Sequence, residues 1–205
     1  MCGVPDCRCG EFPKSDYVRT MAALAEKHLA NNYERVLDRI FVSAKGSWVY
    51  DSEGRRYLDF LSCYSALNVG HAHPKVKQAI ISQAECGLYA MPQAFVNYWA
   101  PKCAEKICQV TGMDKVLFKN SGSEAVEAAM KIARKGAYVK KQVPKNCAEL
   151  IFCENNFHGR TLGALAASTN RQYRDFFGPY LGGIRTIPFG NGSILEAVSH
   201  RNTAA

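Results

Sequence analysis

Val116-Leu117-Phe118-Lys119-Asn120-Ser121-Gly122-Ser123-Glu124-Ala125, running on through alanine-rich residues to Tyr138, sets an apolar run against a small polar turn and then a long amphipathic stretch. Val116-Leu117-Phe118 reads as a short strand, the Asn-Ser-Gly turn breaks it, and Ser123 to Tyr138 carries helical spacing. The unit then recurs: Leu150-Ile151-Phe152-Cys153 is a strand, Thr161 to Ala167 a short helix, Ile184 to Ile187 a strand and Ile194 to His200 a helix. Strands alternating with helices predict an α/β architecture, a mostly parallel sheet flanked by helices on both faces. Arg201-Asn202-Thr203-Ala204-Ala205 reads as a helix exit about to enter a further strand, so the sheet is expected to be incomplete in this chain.

Toward the N-terminus, His73-Pro74 opens this rhythm, with helical stretches at Val76 to Cys86 and Ala100 to Val110. Before it, Trp48-Val49-Tyr50 and Arg55 to Phe60 flank the polar turn Asp51-Ser52-Glu53-Gly54, which predicts a hairpin. Tyr17 to Tyr33 has Met21, Leu24, Ala25, His28 and Leu29 on one helical face. The expected organisation is a disordered N-terminus over 1–16, a small α+β segment over 17–70, and the first part of a larger domain over 71–205.

The 205 residues are 47% hydrophobic and 21% charged, the balance of a soluble globular protein. No run reaches the roughly 18 apolar residues of a membrane span, so no membrane partner is expected. The net charge of +8 gathers partly at Lys131, Arg134, Lys135, Lys140, Lys141 and Lys145, but no aromatic platform is interleaved there, which argues against nucleic acid and for anionic small molecules. Nine cysteines without a signal peptide point to reduced thiols and a cytoplasmic protein; a mitochondrial location stays open. Cys2, Cys7 and Cys9 lack the further ligands of a zinc site, so no metal is expected. Cys63, Cys86, Cys103, Cys108, Cys147 and Cys153 lie in apolar runs and read as small core residues.

Two loops carry candidate chemistry. At Asn120 to Ala125, small residues let a ligand approach the backbone, and the exposed N–H groups and dipole of the helix start attract a phosphate. Ser121 with Glu124 fits an ordinary capping box equally well. Asn155-Asn156-Phe157-His158-Gly159-Arg160-Thr161 follows the strand at 150–153, and ligands of open α/β sheets gather beyond the carboxyl ends of strands, so both loops are expected to face one crevice. Phe157 can stack on a flat heterocycle and Arg160 can hold a carboxylate through paired hydrogen bonds.

In order and spacing, residues 120–134 (Asn-Ser-Gly-Ser-Glu-Ala-Val-Glu-Ala-Ala-Met-Lys-Ile-Ala-Arg), 156–165 (Asn-Phe-His-Gly-Arg-Thr-Leu-Gly-Ala-Leu) and 68–74 (Asn-Val-Gly-His-Ala-His-Pro) resemble the class III aminotransferases. The resemblance implies the pyridoxal-phosphate-dependent transferase fold of type I and pyridoxal 5′-phosphate as cofactor. It implies that Ser121, Gly122 and Ser123 hold the cofactor phosphate, that Phe157 lies on the pyridine ring and that Arg160 binds a substrate carboxylate. His158 adjoins the ring, in a conjugating or a packing role.

Within the class, Ser62-Cys63-Tyr64-Ser65-Ala66-Leu67-Asn68 and Val139 to Asn146 resemble the ornithine type rather than the acetylornithine type. This implies that Tyr64 lines the substrate pocket and that Tyr33 helps to hold the ornithine carboxylate. The implied reaction moves the δ-amino group of ornithine to 2-oxoglutarate in a homodimer. In the family, the lysine that carries the cofactor and the acid that faces the pyridine nitrogen lie further along than Ala205, and Lys131 reads as solvated surface. The chain is therefore expected to be an N-terminal half without catalytic residues, inactive alone. An enzyme for N-acetylornithine or another ω-amino compound and a non-catalytic truncated protein are the alternatives.

Overall fold

The structure, a computed structural model, describes residues 15–30, 32, 33, 37 and 39–205, in two compact units that divide between Asn97 and Tyr98. Cys2, Cys7 and Cys9 lie outside the described residues.

In the first unit, helix α1 (Ser15–His28) has Asp16 in its first turn and Lys27 and His28 in its last, complementing the helix dipole at both ends. It stops short of the Tyr33 suggested by the apolar spacing. Strands β1 (Phe41–Lys45), β2 (Trp48–Asp51) and β3 (Arg56–Leu58) form an antiparallel sheet in the order β1-β2-β3. The hairpin is the one that the polar turn predicted, and its turn is organised by Asp51, which is fully buried. The Asp51 carboxylate accepts the amides of Glu53 and Arg55, each at 2.9 Å, the Arg55 Nε–H at 2.8 Å and the Tyr57 hydroxyl at 2.9 Å. Burial pushes this carboxyl up, but the Arg55 and Tyr57 side chains and the two amides overcome it and hold the pKa at about 2. A short turn α2 (Ser62–Ser65) and helix α3 (Pro74–Glu85) follow, the latter opened by a proline whose missing N–H costs nothing at a helix start.

In the second unit, α4 (Trp99–Thr111) leads to α5 (Gly122–Val139), and β4 (Leu150–Cys153) pairs in parallel with β5 (Ile184–Ile187), Leu150 facing Ile184 and Cys153 facing Ile187. Between these strands lie α6 (Leu162–Ala166) and the single turn α7 (Arg171–Arg174); α8 (Gly192–Val198) follows β5. Residues 202–205 then run along the other side of β4: Asn202 O accepts Glu149 N–H at 3.0 Å, Glu149 O accepts Ala204 N–H at 2.7 Å and Ala205 O accepts Ile151 N–H at 2.9 Å. The final residues, expected to be a helix exit leading to a further strand, themselves bridge in parallel to the entrance of β4 at Glu149 and Thr203. Met130, Ala137, Leu150, Leu165 and Ile187 are buried; Ala137 packs with Val143 and Ala148, joined by Tyr138 and Ala204, and α6 is buried through Ala164, Leu165 and Ala166.

Two expectations are corrected. Val116-Leu117-Phe118 belongs to neither sheet, because an apolar run becomes a strand only where a neighbour completes its ladder. Cys63, Cys86, Cys103 and Cys147 are exposed and Cys108 and Cys153 half-buried: apolar neighbours along the chain are not neighbours in space. Within the basic cluster, Arg134 Nη2 donates to Gly182 O at 2.5 Å and Lys141 Nζ to Thr203 O at 3.1 Å. Among the described residues no helix is long and apolar enough to cross a membrane.

Candidate functional site

The site in the second unit is built where the start of α5 meets the loop after β4. Ser121, with extended backbone (φ −147°, ψ 163°), is the N-cap of α5, and its Oγ accepts the Glu124 amide at 3.2 Å. The Glu124 carboxylate turns back to accept the Asn120 amide at 2.7 Å, which lowers its pKa. Among the described residues the amides of Gly122 and Ser123 find no acceptor, and a Cβ at Gly122 would meet nothing within 4 Å. Open donors and the dipole of an 18-residue helix therefore face free space, a combination suited to an anion.

Gly159 closes the gap to the second loop. It is buried at φ +121°, and a Cβ there would lie 2.0 Å from Ser123 Oγ, 2.8 Å from Ser123 Cβ and 3.2 Å from Ser123 Cα. Only glycine allows this approach. The structure therefore brings Ser121, Gly122 and Ser123 together with the loop that carries Phe157, His158 and Arg160.

The Phe157 ring is 65% exposed and meets Tyr173 edge-on, centroids 6.2 Å apart. Arg160 lays its guanidinium over the Tyr173 ring at 3.7 Å and lies 5.8 Å from the Phe157 centroid. His158 is half-buried, 5.2 Å from the Phe152 ring, and lines an apolar cleft of about 240 Å³ with Val126, Met130 and Phe152.

Sequence reasoning missed three supports of this loop. Tyr173, on α7, carried no signal beyond being aromatic. Asn156 Nδ2 donates to Cys153 O at 2.6 Å and Ala167 O at 2.7 Å, tying the loop across its base. Glu127 accepts the Thr161 hydroxyl at 2.6 Å, one helical turn along from Ser123 on the same face of α5.

Tyr33 and Tyr64 belong to the first unit, exposed by 60% and 82%. Tyr64 sits within four consecutive non-glycine residues in the left-handed region, Ser62 (φ 50°), Cys63 (φ 50°), Tyr64 (φ 54°) and Ser65 (φ 68°). At about 1–2 kcal/mol per residue, the turn holds on the order of 4–8 kcal/mol of backbone strain. Its entrance is bound by Asp59, whose Oδ1 accepts the amides of Leu61 at 3.0 Å and Ser62 at 2.8 Å. Asp59 Oδ2 lies 2.7 Å from His71 Nε2, and that hydrogen bond is the chief cause of the lowered Asp59 pKa. A carboxylate can only accept, so the ring nitrogen donates.

Among the described residues no three His, Cys, Asp or Glu side chains cluster to hold a metal ion.

The family profile for class-III aminotransferases matches residues 29–204. The ornithine aminotransferase of Halalkalibacterium halodurans is 48% identical over 180 residues, 88% of this chain and 45% of that protein. The ornithine aminotransferase of a Geobacillus species is 47% identical over 182 residues, again 45% of its length. Among solved structures, the ornithine aminotransferase of Toxoplasma gondii superimposes with a TM-score of 0.85 at 36% identity, over 91% of this chain and 44% of that one. The acetylornithine aminotransferase of Elizabethkingia anophelis gives 0.75 at 40% identity, over 92% and 45%. The chain thus spans a little under half the length of the relatives it matches. With the profile covering nearly all of it and these neighbours sharing its fold, the chain belongs to the class III aminotransferases and has the pyridoxal-phosphate-dependent transferase fold of type I.

Proposed function

We propose that this chain supplies the phosphate-binding and carboxylate-binding elements of an aminotransferase that moves the δ-amino group of ornithine to 2-oxoglutarate, giving glutamate-5-semialdehyde and glutamate. The observation that carries this reading is the seating of Gly159 on Ser123, which joins an anion-attracting helix start to a loop bearing an open aromatic face and a guanidinium. These residues fit pyridoxal 5′-phosphate: amides without a protein acceptor at Gly122 and Ser123 suit its phosphate, and the exposed Phe157 ring suits its flat heterocycle. When bound, that cofactor supplies the electron sink for a proton leaving the carbon that bears the amine.

The residues of the chain do the holding. The Ser121 oxygen accepts from Glu124, which leaves its O–H to donate to a phosphate oxygen. His158, backed by Phe152, fixes one edge of the ring site, while Arg160, restrained by Tyr173, presents paired N–H donors to a substrate carboxylate. Tyr33 and Tyr64 are assigned to the ornithine side of the pocket, where a phenol donates a hydrogen bond without adding charge. No lysine among the 205 residues is assigned to carry the cofactor, so the chain alone is expected to be inactive. The partners are small amino acids and 2-oxo acids, the assembly a homodimer and the compartment the cytoplasm.

Two measurements test this. Borohydride reduction with pyridoxal phosphate should leave no adduct on any lysine of residues 1–205, and an adduct there would overturn the assignment of inactivity. The full-length protein should form glutamate-5-semialdehyde from ornithine and leave N-acetylornithine untouched. The opposite preference would favour the second reading, an acetylornithine enzyme, which the 40% identity to the Elizabethkingia protein supports.

A further inference from the structure

We propose that Asp59 and His71 are positioning residues for Tyr64: together they lock residues 62–65 into the left-handed turn that presents the phenol to substrate. The inference rests on the reading of Tyr64 as a pocket residue and adds to it what sets the angle of that side chain and, with it, the choice of amine donor.

Non-glycine residues persist in the left-handed region only where their surroundings over-determine them, and runs of such residues mark places where geometry serves a function. Neither glycine nor asparagine occupies residues 62–65, although either would relieve the backbone at any of the four positions. Simple chain reversal does not require this, so the side chains on the turn matter. Ser62 is consumed locally, its Oγ donating to Leu67 O at 2.9 Å, whereas Tyr64 stands 82% exposed.

The over-determination comes from outside the turn. Asp59, one residue beyond β3, spends one carboxylate oxygen on the Leu61 and Ser62 amides and the other on His71. His71 is itself fixed by a two-way backbone pairing with Gly46, its oxygen accepting Gly46 N–H at 2.9 Å and its N–H donating to Gly46 O at 2.8 Å. Gly70, at φ +80°, approaches Gly46 so closely that a Cβ would lie 3.1 Å from Gly46 O. Both ends of the loop are thus pinned to each other and to the β1–β2 turn, and the pin consists of one carboxylate and one imidazole.

The test uses four variants. Asp59→Ala and His71→Ala remove the clamp. His71→Gln keeps an N–H donor, and Asp59→Asn keeps an acceptor for the amides. In the 205-residue chain, scalar couplings measured by NMR at residues 62–65 report positive φ. They should keep that signature in the native chain and in His71→Gln, and lose it in Asp59→Ala and His71→Ala. In the full-length protein, the two alanine variants should raise the ornithine KM at least tenfold, with kcat within twofold and pyridoxal phosphate affinity unchanged, and His71→Gln should restore most of the loss. Should Asp59→Ala fail to fold, His71→Ala carries the same readouts, while Asp59→Asn, which still accepts the Leu61 and Ser62 amides, should keep positive φ. Persistence of positive φ in the alanine variants overturns the clamp, as does an unchanged KM when Tyr64→Ala raises it. An unchanged KM in Tyr64→Ala overturns the pocket reading itself, and the proposal with it.

Discussion

Replacing Gly159 with alanine is the most direct test of the joined loops. The added Cβ would meet Ser123 Oγ at 2.0 Å, Cβ at 2.8 Å and Cα at 3.2 Å. The hydroxyl can rotate away, but the Cβ cannot move without the start of α5 moving too. Alanine at φ +121° costs about 1–3 kcal/mol in backbone strain, and forcing a methyl into a filled site costs a further ~1–3 kcal/mol. A loss of about 2–6 kcal/mol is therefore expected, and each kcal/mol lowers Tm by about 2–4 °C for a chain of this size. Urea and thermal unfolding of the 205-residue chain measure it. The companion Ser123→Gly removes the two shortest contacts and leaves the torsional part, so Gly159→Ala should cost roughly 1–3 kcal/mol less in that background. A Gly159→Ala chain within about 0.5 kcal/mol of the parent, below the usual cost of any strained site, would refute the contact and with it the joined cleft.

Other expected outcomes follow from single features. Ser121→Ala should destabilise α5 by about 1 kcal/mol in urea unfolding, while Ser121→Asp, which can still cap, should cost less. Because the Asp51 pKa in the folded state is about 2, below its ordinary 3.8, the stabilising contribution of Asp51 is complete above pH 3.8 and disappears as pH falls from there through about 2. Asp51→Asn should therefore flatten the loss of hairpin stability over that window, read by circular dichroism during acid titration. A double-mutant cycle of Arg160→Gln with Tyr173→Leu should give a coupling of about 0.5–1 kcal/mol, as expected for an exposed guanidinium stacked on a half-buried ring. A coupling of zero would remove Tyr173 as a support for Arg160 in the proposed carboxylate site.

Local signals were the legible ones. A polar turn between two β-branched and aromatic runs announced the β2–β3 hairpin, and the spacing of α5 with its Ser121–Glu124 cap announced both the helix and its open end. The reading failed where the outcome depends on distant partners. Val116-Leu117-Phe118 has the composition of a strand but not a place in a sheet, and the cysteines have apolar neighbours in sequence yet face outward. Tyr173 reaches Arg160 only because α7 folds back, and Asp51 gathers four donors only once the hairpin has closed. The left-handed sense at 62–65 was also hidden, since nothing in Ser-Cys-Tyr-Ser favours positive φ.

The ladder formed by residues 202–205 fixes more than an edge. From β4 the chain winds outward to β5, then doubles back so that its next extended segment lies on the opposite flank of β4. A right-handed crossover running one way across a sheet and the next one running back place their helices on opposite faces, and ligand crevices form beyond strand carboxyl ends, here that of β4, where the winding reverses. The loop from Glu154 to Thr161 occupies that end. A crevice there follows from winding order and not from any one loop residue.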